Sequence, residues 1–291
     1  MKKIIIMFLA FGLFACAQTT YKTYIARNSS LARNPDYCRN SEYLAQAVLW
    51  FQHSPEMNAL YLQSYNTAKT NLAYNIKHKA EPNKKNAVVV DIDETILNCS
   101  PYEGWLYLTD NVYSDSSWIA WVKDSKAEPL PGTVDFLNYA KNLGCEIFYI
   151  SNRKKDTQLE PTLQNLRKFN LPDADEKHLL LKTKGDTTLT GESTKERRRL
   201  KIENEFNCEI LLLCGDQLAD FDKAFDVIKG EKEEQIKDSV IKYQDKFSSR
   251  FIIIPNPMYD DWLNAILKGN DRDYSCLHVD KSRRGKIISW K

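Results

Sequence analysis

The stretch Ala87-Val-Val-Val-Asp-Ile-Asp-Glu-Thr-Ile-Leu-Asn98 decides the reading of this chain. A small residue and three valines predict a buried β-strand, because β-branched side chains suit a pleated sheet packed on both faces. The run then passes directly into Asp91 and Asp93, two carboxylates separated by one residue. A buried strand ending in that much negative charge needs something to neutralise it. Working outward, similar short apolar runs recur at Cys145–Ile150, Leu179–Leu181, Ile210–Leu213 and Phe251–Ile254. Most are separated by stretches with helical character, namely Thr133–Asn142, Thr157–Phe169, Lys195–Glu205 and Leu218–Ile228. This alternation predicts an α/β fold with a parallel sheet and flanking helices. In such sheets ligands bind beyond the carboxyl ends of the strands.

The residues at those ends form a pattern. The first strand gives Asp91 and Asp93, the second Ser151-Asn152-Arg153, and the fourth Cys214-Gly215-Asp216 followed by Asp220. If the strands are parallel neighbours, four carboxylates and a hydroxyl meet at one edge. Unscreened, they would repel one another and titrate upward. An oxygen-only set without His or Cys suits a hard cation such as Mg²⁺. Any one of these acids alone reads as a strand-end or helix-capping Asp; it is their recurrence at three strand ends that points to a shared metal and phosphate site. An EF-hand is excluded, since Ile96 stands where that loop needs its turn glycine.

These motifs resemble those of the haloacid dehalogenase superfamily. Asp91-Ile-Asp-Glu-Thr95 is similar to its D-x-D-x-T motif, Ser151 to the second motif, Lys195 to the motif-three lysine, and Gly215-Asp216-x-x-x-Asp220 to the fourth. From about Tyr43 to Trp262, "DIDETILNCSPY", "YISNRK", "STKERR", "CGDQLADFD" and "PNPMYDDW" resemble the class C bacterial acid phosphatases, exported lipoproteins acting as 5′-nucleotidases or broad phosphomonoesterases. The segment Gly185-Asp-Thr-Thr-Leu-Thr-Gly191 departs from the family pattern and leaves Lys182, Lys184 and Lys195 as neighbouring candidates; the frame Ser193-Thr-Lys-x-x-Arg198 favours Lys195. The resemblance implies a Rossmann-like sheet with a small, mainly helical cap. It implies Asp91 as nucleophile, Asp93 as acid and base, and Ser151 and Asn152 on phosphate oxygens. It further implies a Mg²⁺ ion held by Asp91, the Asp93 carbonyl and Asp216, with Asp220 in support. Asp93 also favours a phosphatase over a dehalogenase, whose leaving group needs no proton.

Aromatic side chains can stack on a nucleobase, and Tyr113, Trp118 and Tyr259 are the candidates. Trp118 and Trp121 also read as core residues of a cap. Tyr259 lies in Pro255-Asn-Pro-Met-Tyr259, which resembles the family's substrate-facing segment. Arg197–Arg199 read as a solvated helix face rather than a nucleic-acid patch. A non-catalytic binding lipoprotein on the same fold and a phosphomonoesterase without nucleotide preference are the rival readings.

At the N-terminus, Lys2 and Lys3 precede the apolar run Ile4–Phe14 and then Ala15-Cys16, the layout of a secretory signal ending in a lipobox with Cys16 lipidated. Ordinary cleavage after Ala15-Cys16-Ala17 is the alternative. Loss of residues 1–15 removes two lysines and no acid, so the formal charge falls from +2 to zero, and nothing in the balance calls for nucleic acid. Export places the protein at the cell envelope and makes disulfides permissible; in a Gram-negative source Ala17 points to the outer membrane. Cys145, Cys208 and Cys214 read as buried, while Cys38 and Cys276 could pair. The expected organisation is a signal at 1–15, a polar tether at 16–40, a phosphatase domain at 41–268 with its cap from about 41–80 and 99–131, and a polar tail at 269–291. Two amphipathic helices open the domain, the first carrying Leu44 to Phe51 and capped by Ser41, the second carrying Leu60 to Ile76.

Overall fold

The computed structural model describes residues 43–186, 194–226, 233–247, 249–259, 262–263 and 287–289, all within the unit Asn40–Lys291. The signal, Cys16, the tether, Ser41, Cys38, Cys276, the tail up to residue 286 and most of the Gly185–Gly191 segment lie outside the described residues.

Five strands, β1 (Lys85–Val90), β4 (Glu146–Lys154), β5 (Leu179–Lys182), β6 (Cys208–Gly215) and β7 (Phe251–Ile253), form one sheet in the order β5-β4-β1-β6-β7. Every pairing is parallel. The order reverses at β1, which sits centrally with Val90 opposite Tyr149 on one side and Cys214 on the other. Ala87 through Val90 are all buried, and period-two alternation divides them between two cores. Val88 and Val90 pack with Tyr61, Tyr65 and Phe136, whereas Ala87 and Val89 pack with Ile202, Phe225 and Phe251. Helices therefore cover both faces, as a parallel sheet requires.

Helix α1 (Leu44–His53) buries Leu44, Val48 and Phe51, one stripe of its surface. Ser54 then accepts from the Glu56 N–H at 3.1 Å and Pro55 occupies the first turn of α2 (Pro55–Lys77), a residue pair suited to a helix start. Met57, Tyr61, Tyr65, Ala68 and Leu72 are its buried stripe. This stripe lies in the same core as Val88 and Val90. Within the stretch 41–80, which the sequence reading assigns to the cap, the apolar face of α2 thus packs on the side of the sheet that carries Val88 and Val90.

The second insertion is rooted by a two-stranded ribbon, β2 (Leu97–Asn98) antiparallel to β3 (Glu128–Pro129). Between them run α3 (Ser100–Thr109) and α4 (Asp115–Lys123), the latter capped by Ser114, which accepts from the Ser117 N–H at 3.2 Å. The crossovers that follow use α5 (Thr133–Asn142), α6 (Lys155–Lys168), α7 (Glu196–Asn204), α8 (Glu233–Lys242) and α9 (Gln244–Phe247). The helix expected over Leu218–Ile228 is not formed in the described part. Two 3₁₀ turns, Leu218–Asp220 and Lys223–Phe225, stand there instead. The Asp220 and Asp222 carboxylates accept from the backbone of Gln217 and Ala224, local bonds that close short turns in competition with a helix.

Candidate active site

The carboxyl ends of β1, β4 and β6 meet at the reversal point. The Asp91 N–H donates to the Cys214 carbonyl at 3.0 Å, so Asp91 still belongs to the ladder while its side chain clears the sheet. The next residues fold back: Glu94 takes the left-handed region at φ 53°, and the Ile96 and Leu97 N–H groups both donate to the Ile92 carbonyl. This loop is held from α2, where the Tyr61 hydroxyl donates to the Glu94 carbonyl at 2.5 Å and the Tyr65 hydroxyl to the Thr95 carbonyl at 2.7 Å.

From β6, Gly215 leads to Asp216 and then Asp220, which turns back over it. A Cβ at Gly215 would lie 2.2 Å from the Asp220 carboxylate, so only glycine permits this approach. The Asp216 carboxylate accepts from the Thr95 hydroxyl at 3.1 Å and the Asn256 amide at 2.9 Å. Lys195, the residue before α7, extends its Nζ to both Asp91 and Asp220. Among the three neighbouring lysines, it is Lys195 that enters the cluster; Lys182 is half-buried and Lys184 exposed.

Asp91, Asp216 and Asp220 each offer an oxygen, all within 4.8 Å of one another. Burial raises Asp91 well above the usual carboxylate range, with Lys195 opposing and the other acids adding to the rise. Asp216 is pushed up to about 7 by burial and by Asp220. Lys195 is held protonated: burial disfavours its charge, but Asp220 and Asp91 more than reverse that. One ammonium against three carboxylates, Asp91 and Asp220 buried and Asp216 half-buried, leaves a deficit of positive charge. A hard divalent cation fits both the deficit and the oxygen donors.

Asp93 faces the opposite flank. Its carboxylate receives Arg153 Nη2 at 2.7 Å and Nε at 3.1 and 3.2 Å, the Cys99 thiol at 3.1 Å and the Ser151 hydroxyl at 3.4 Å. Asn152 is exposed, and its Oδ1 accepts from Arg198 Nη2 at 2.8 Å. Arg198 also donates to the Ser151 carbonyl at 2.6 Å, and Arg199 to the Ala219 and Asp220 carbonyls. Arg198 and Arg199 are therefore buried struts of the site and only Arg197 is exposed. The expectation of a wholly solvated arginine face is corrected. A guanidinium with several carbonyl partners can be buried where a run of charge alone suggests solvent.

The aromatic candidates separate into two groups. Trp118 lies 5.0 Å from the ring of Tyr102 and 6.5 Å from that of Tyr113, with the Arg153 guanidinium 5.9 Å from its own ring. Tyr113 is 58% exposed. Tyr259 packs against the core, and its hydroxyl bonds the Glu94 carboxylate. Sequence reasoning gave no role to Arg153, Thr95, Asn256 or Arg198, although each lies inside a quoted motif. Their partners are distant in the chain, and no local spacing reveals them.

The family described as HAD superfamily, subfamily IIIB (Acid phosphatase) matches residues 18–262. The class C acid phosphatase from Bacillus anthracis is 35% identical and superposes with a TM-score of 0.77, covering 87% of this chain and 100% of that one. The same protein with tungstate bound gives 36% identity and a TM-score of 0.76, over 86% of this chain and 99% of that one.

Proposed function

The chain belongs to the acid phosphatases of HAD subfamily IIIB and is a phosphomonoesterase, and from that premise we propose that it hydrolyses nucleoside 5′-monophosphates with Mg²⁺ through a phosphoaspartate on Asp91. The observation that carries this reading is the meeting of Asp91, Lys195, Asp216 and Asp220 at the end of β1, with Asp93 two residues beyond the nucleophile.

A phosphomonoester dianion repels an anionic nucleophile, so charge must be neutralised first. The carboxylates of Asp91 and Asp216 and the Asp93 carbonyl, with Asp220 behind, would hold Mg²⁺, which would supply that neutralisation. Lys195 adds its ammonium, and the Ser151 hydroxyl and Asn152 amide hold phosphate oxygens. An Asp91 oxygen attacks phosphorus as the ester P–O bond breaks, and Asp93 gives its proton to the departing alcohol oxygen. Asp93 then takes a proton from the water that attacks the phosphoaspartate, releasing inorganic phosphate and free Asp91. Tungstate, bound by the Bacillus anthracis relative, is an oxyanion like phosphate. The Tyr102, Tyr113 and Trp118 cluster beside Arg153 offers ring faces for a base.

The test is phosphate release from a panel of nucleotides and sugar phosphates. EDTA should abolish turnover and Mg²⁺ should restore it. Asp91→Asn, which keeps the shape but loses the attacking charge, should lower kcat by about 10³-fold or more. Full activity of a folded Asp91→Asn protein would overturn the mechanism. Equal kcat/KM across nucleotides and glycerol phosphate would favour the broad phosphomonoesterase instead. We also propose attachment to the cell envelope through a lipid on Cys16, on the sequence pattern alone.

A further inference from the structure

Arg153 stands where β4 leaves the regular ladder. Ser151 pairs with Leu181 and Lys154 with Lys182, so Asn152 and Arg153 are extra residues bulged out of the strand. Bulges near sites re-aim side chains, and this one delivers a guanidinium to the Asp93 carboxylate. The Arg153 side chain is 1% exposed, and all three of its nitrogens are engaged. Nε and Nη2 fork onto Asp93, and Nη1 donates to the Thr162 hydroxyl on α6 at 3.1 Å. One face of the group lies against Trp118 of α4. A phosphate-binding arginine would keep donors turned to the open site; here the planar fork is spent on a carboxylate, a geometry with both strength and direction.

We propose that Arg153 is a positioning residue for the acid/base carboxylate: through the β4 bulge, Thr162 and Trp118 it fixes the Asp93 oxygens toward the leaving group and does not bind phosphate itself. The inference rests on the reading of Asp93 as proton donor. It also makes Trp118 a support of Arg153 from the insertion, whatever else that ring contacts.

Proton donation matters according to the leaving group. Glycerol leaves as an alkoxide that must be protonated as the P–O bond breaks, whereas p-nitrophenolate departs with its electron pair unaided. The quantity to measure is kcat/KM, which reports steps up to loss of the alcohol and so excludes the later role of Asp93 as base. Arg153→Lys keeps the charge but not the fork. It should lower kcat/KM for glycerol phosphate by about 10²-fold, the scale of misplaced general-acid catalysis, and that for p-nitrophenyl phosphate by less than about 10-fold. Inhibition by inorganic phosphate should be unchanged. Thr162→Val, which removes only the hydroxyl behind Arg153, should shift the ratio in the same direction by a smaller factor and serves if Arg153 variants fail to fold. Equal losses on both esters, or weakened phosphate inhibition, would overturn the inference and make Arg153 a phosphate ligand. Failure of the wild-type protein to hydrolyse either ester would instead overturn the functional reading on which it rests.

Discussion

Glu94 occupies a backbone conformation that costs a non-glycine residue about 1–2 kcal/mol, and the surrounding contacts explain its persistence. Its carboxylate accepts from the Cys99 N–H at 2.7 Å and from the Tyr259 hydroxyl, while its carbonyl accepts from Tyr61. The side chain is fully buried, so each of these partners matters. Tyr259→Phe leaves the Glu94 carboxylate short of one donor and should destabilise the protein by about 1–3 kcal/mol in urea denaturation. Because the ring remains, the preference for a nucleotide over glycerol phosphate should be retained. Tyr259→Ala removes the ring as well. If the ring stacks on a base, worth about 1–3 kcal/mol, that preference should fall by about one to two orders of magnitude. An alanine variant with unaltered preference would leave Tyr259 solely as the partner of Glu94.

At the scale of elements, α3 buries a titratable group in the segment between β2 and β3. Glu103 is 6% exposed, and burial raises its carboxyl to about 7. Between its ordinary value of 4.5 and about 7 the folded protein holds a proton that the unfolded chain has released. Stability is therefore fully present below 4.5 and falls as pH rises through that window. The difference corresponds to about 3 kcal/mol. Glu103→Gln should match the wild type near pH 4 and exceed it by about that amount above pH 7, as read from urea midpoints across pH. A parallel pH dependence of the two proteins would assign the slope to other groups. The elements themselves were legible in unequal degree. The sheet was readable because both of its faces are covered, so its strands are continuous apolar runs, as Val88–Val90 and Leu211–Leu213 illustrate. Thr133–Asn142 was readable because Phe136, Leu137 and Ala140 mark one face. Leu218–Ile228 misled because its apolar spacing is helical while the carboxylates of Asp220 and Asp222 bind nearby backbone. Arg153 and Arg198 were invisible as site residues because their roles arise from pairings 60 and 46 residues away.

For the molecule as a whole, no helix among the described residues is long and apolar enough to cross a membrane, and the proposed membrane attachment rests on the sequence pattern at Cys16. Cys16→Ser should leave the protein unprocessed or release it from the membrane fraction; wild-type fractionation and migration of the variant would favour ordinary cleavage after Ala17. The parallel sheet carries a consequence for how the chain is made. β1 is the central strand, yet its neighbours β4 and β6 begin at Glu146 and Cys208. At about 5–20 residues per second of synthesis, roughly 10 s separate the emergence of β1 from that of β6. Throughout that interval the valines of the central strand have at least one open edge, the condition in which β-branched segments recruit foreign strands. The segment most enclosed in the finished protein is thus the one most in need of shelter during its birth.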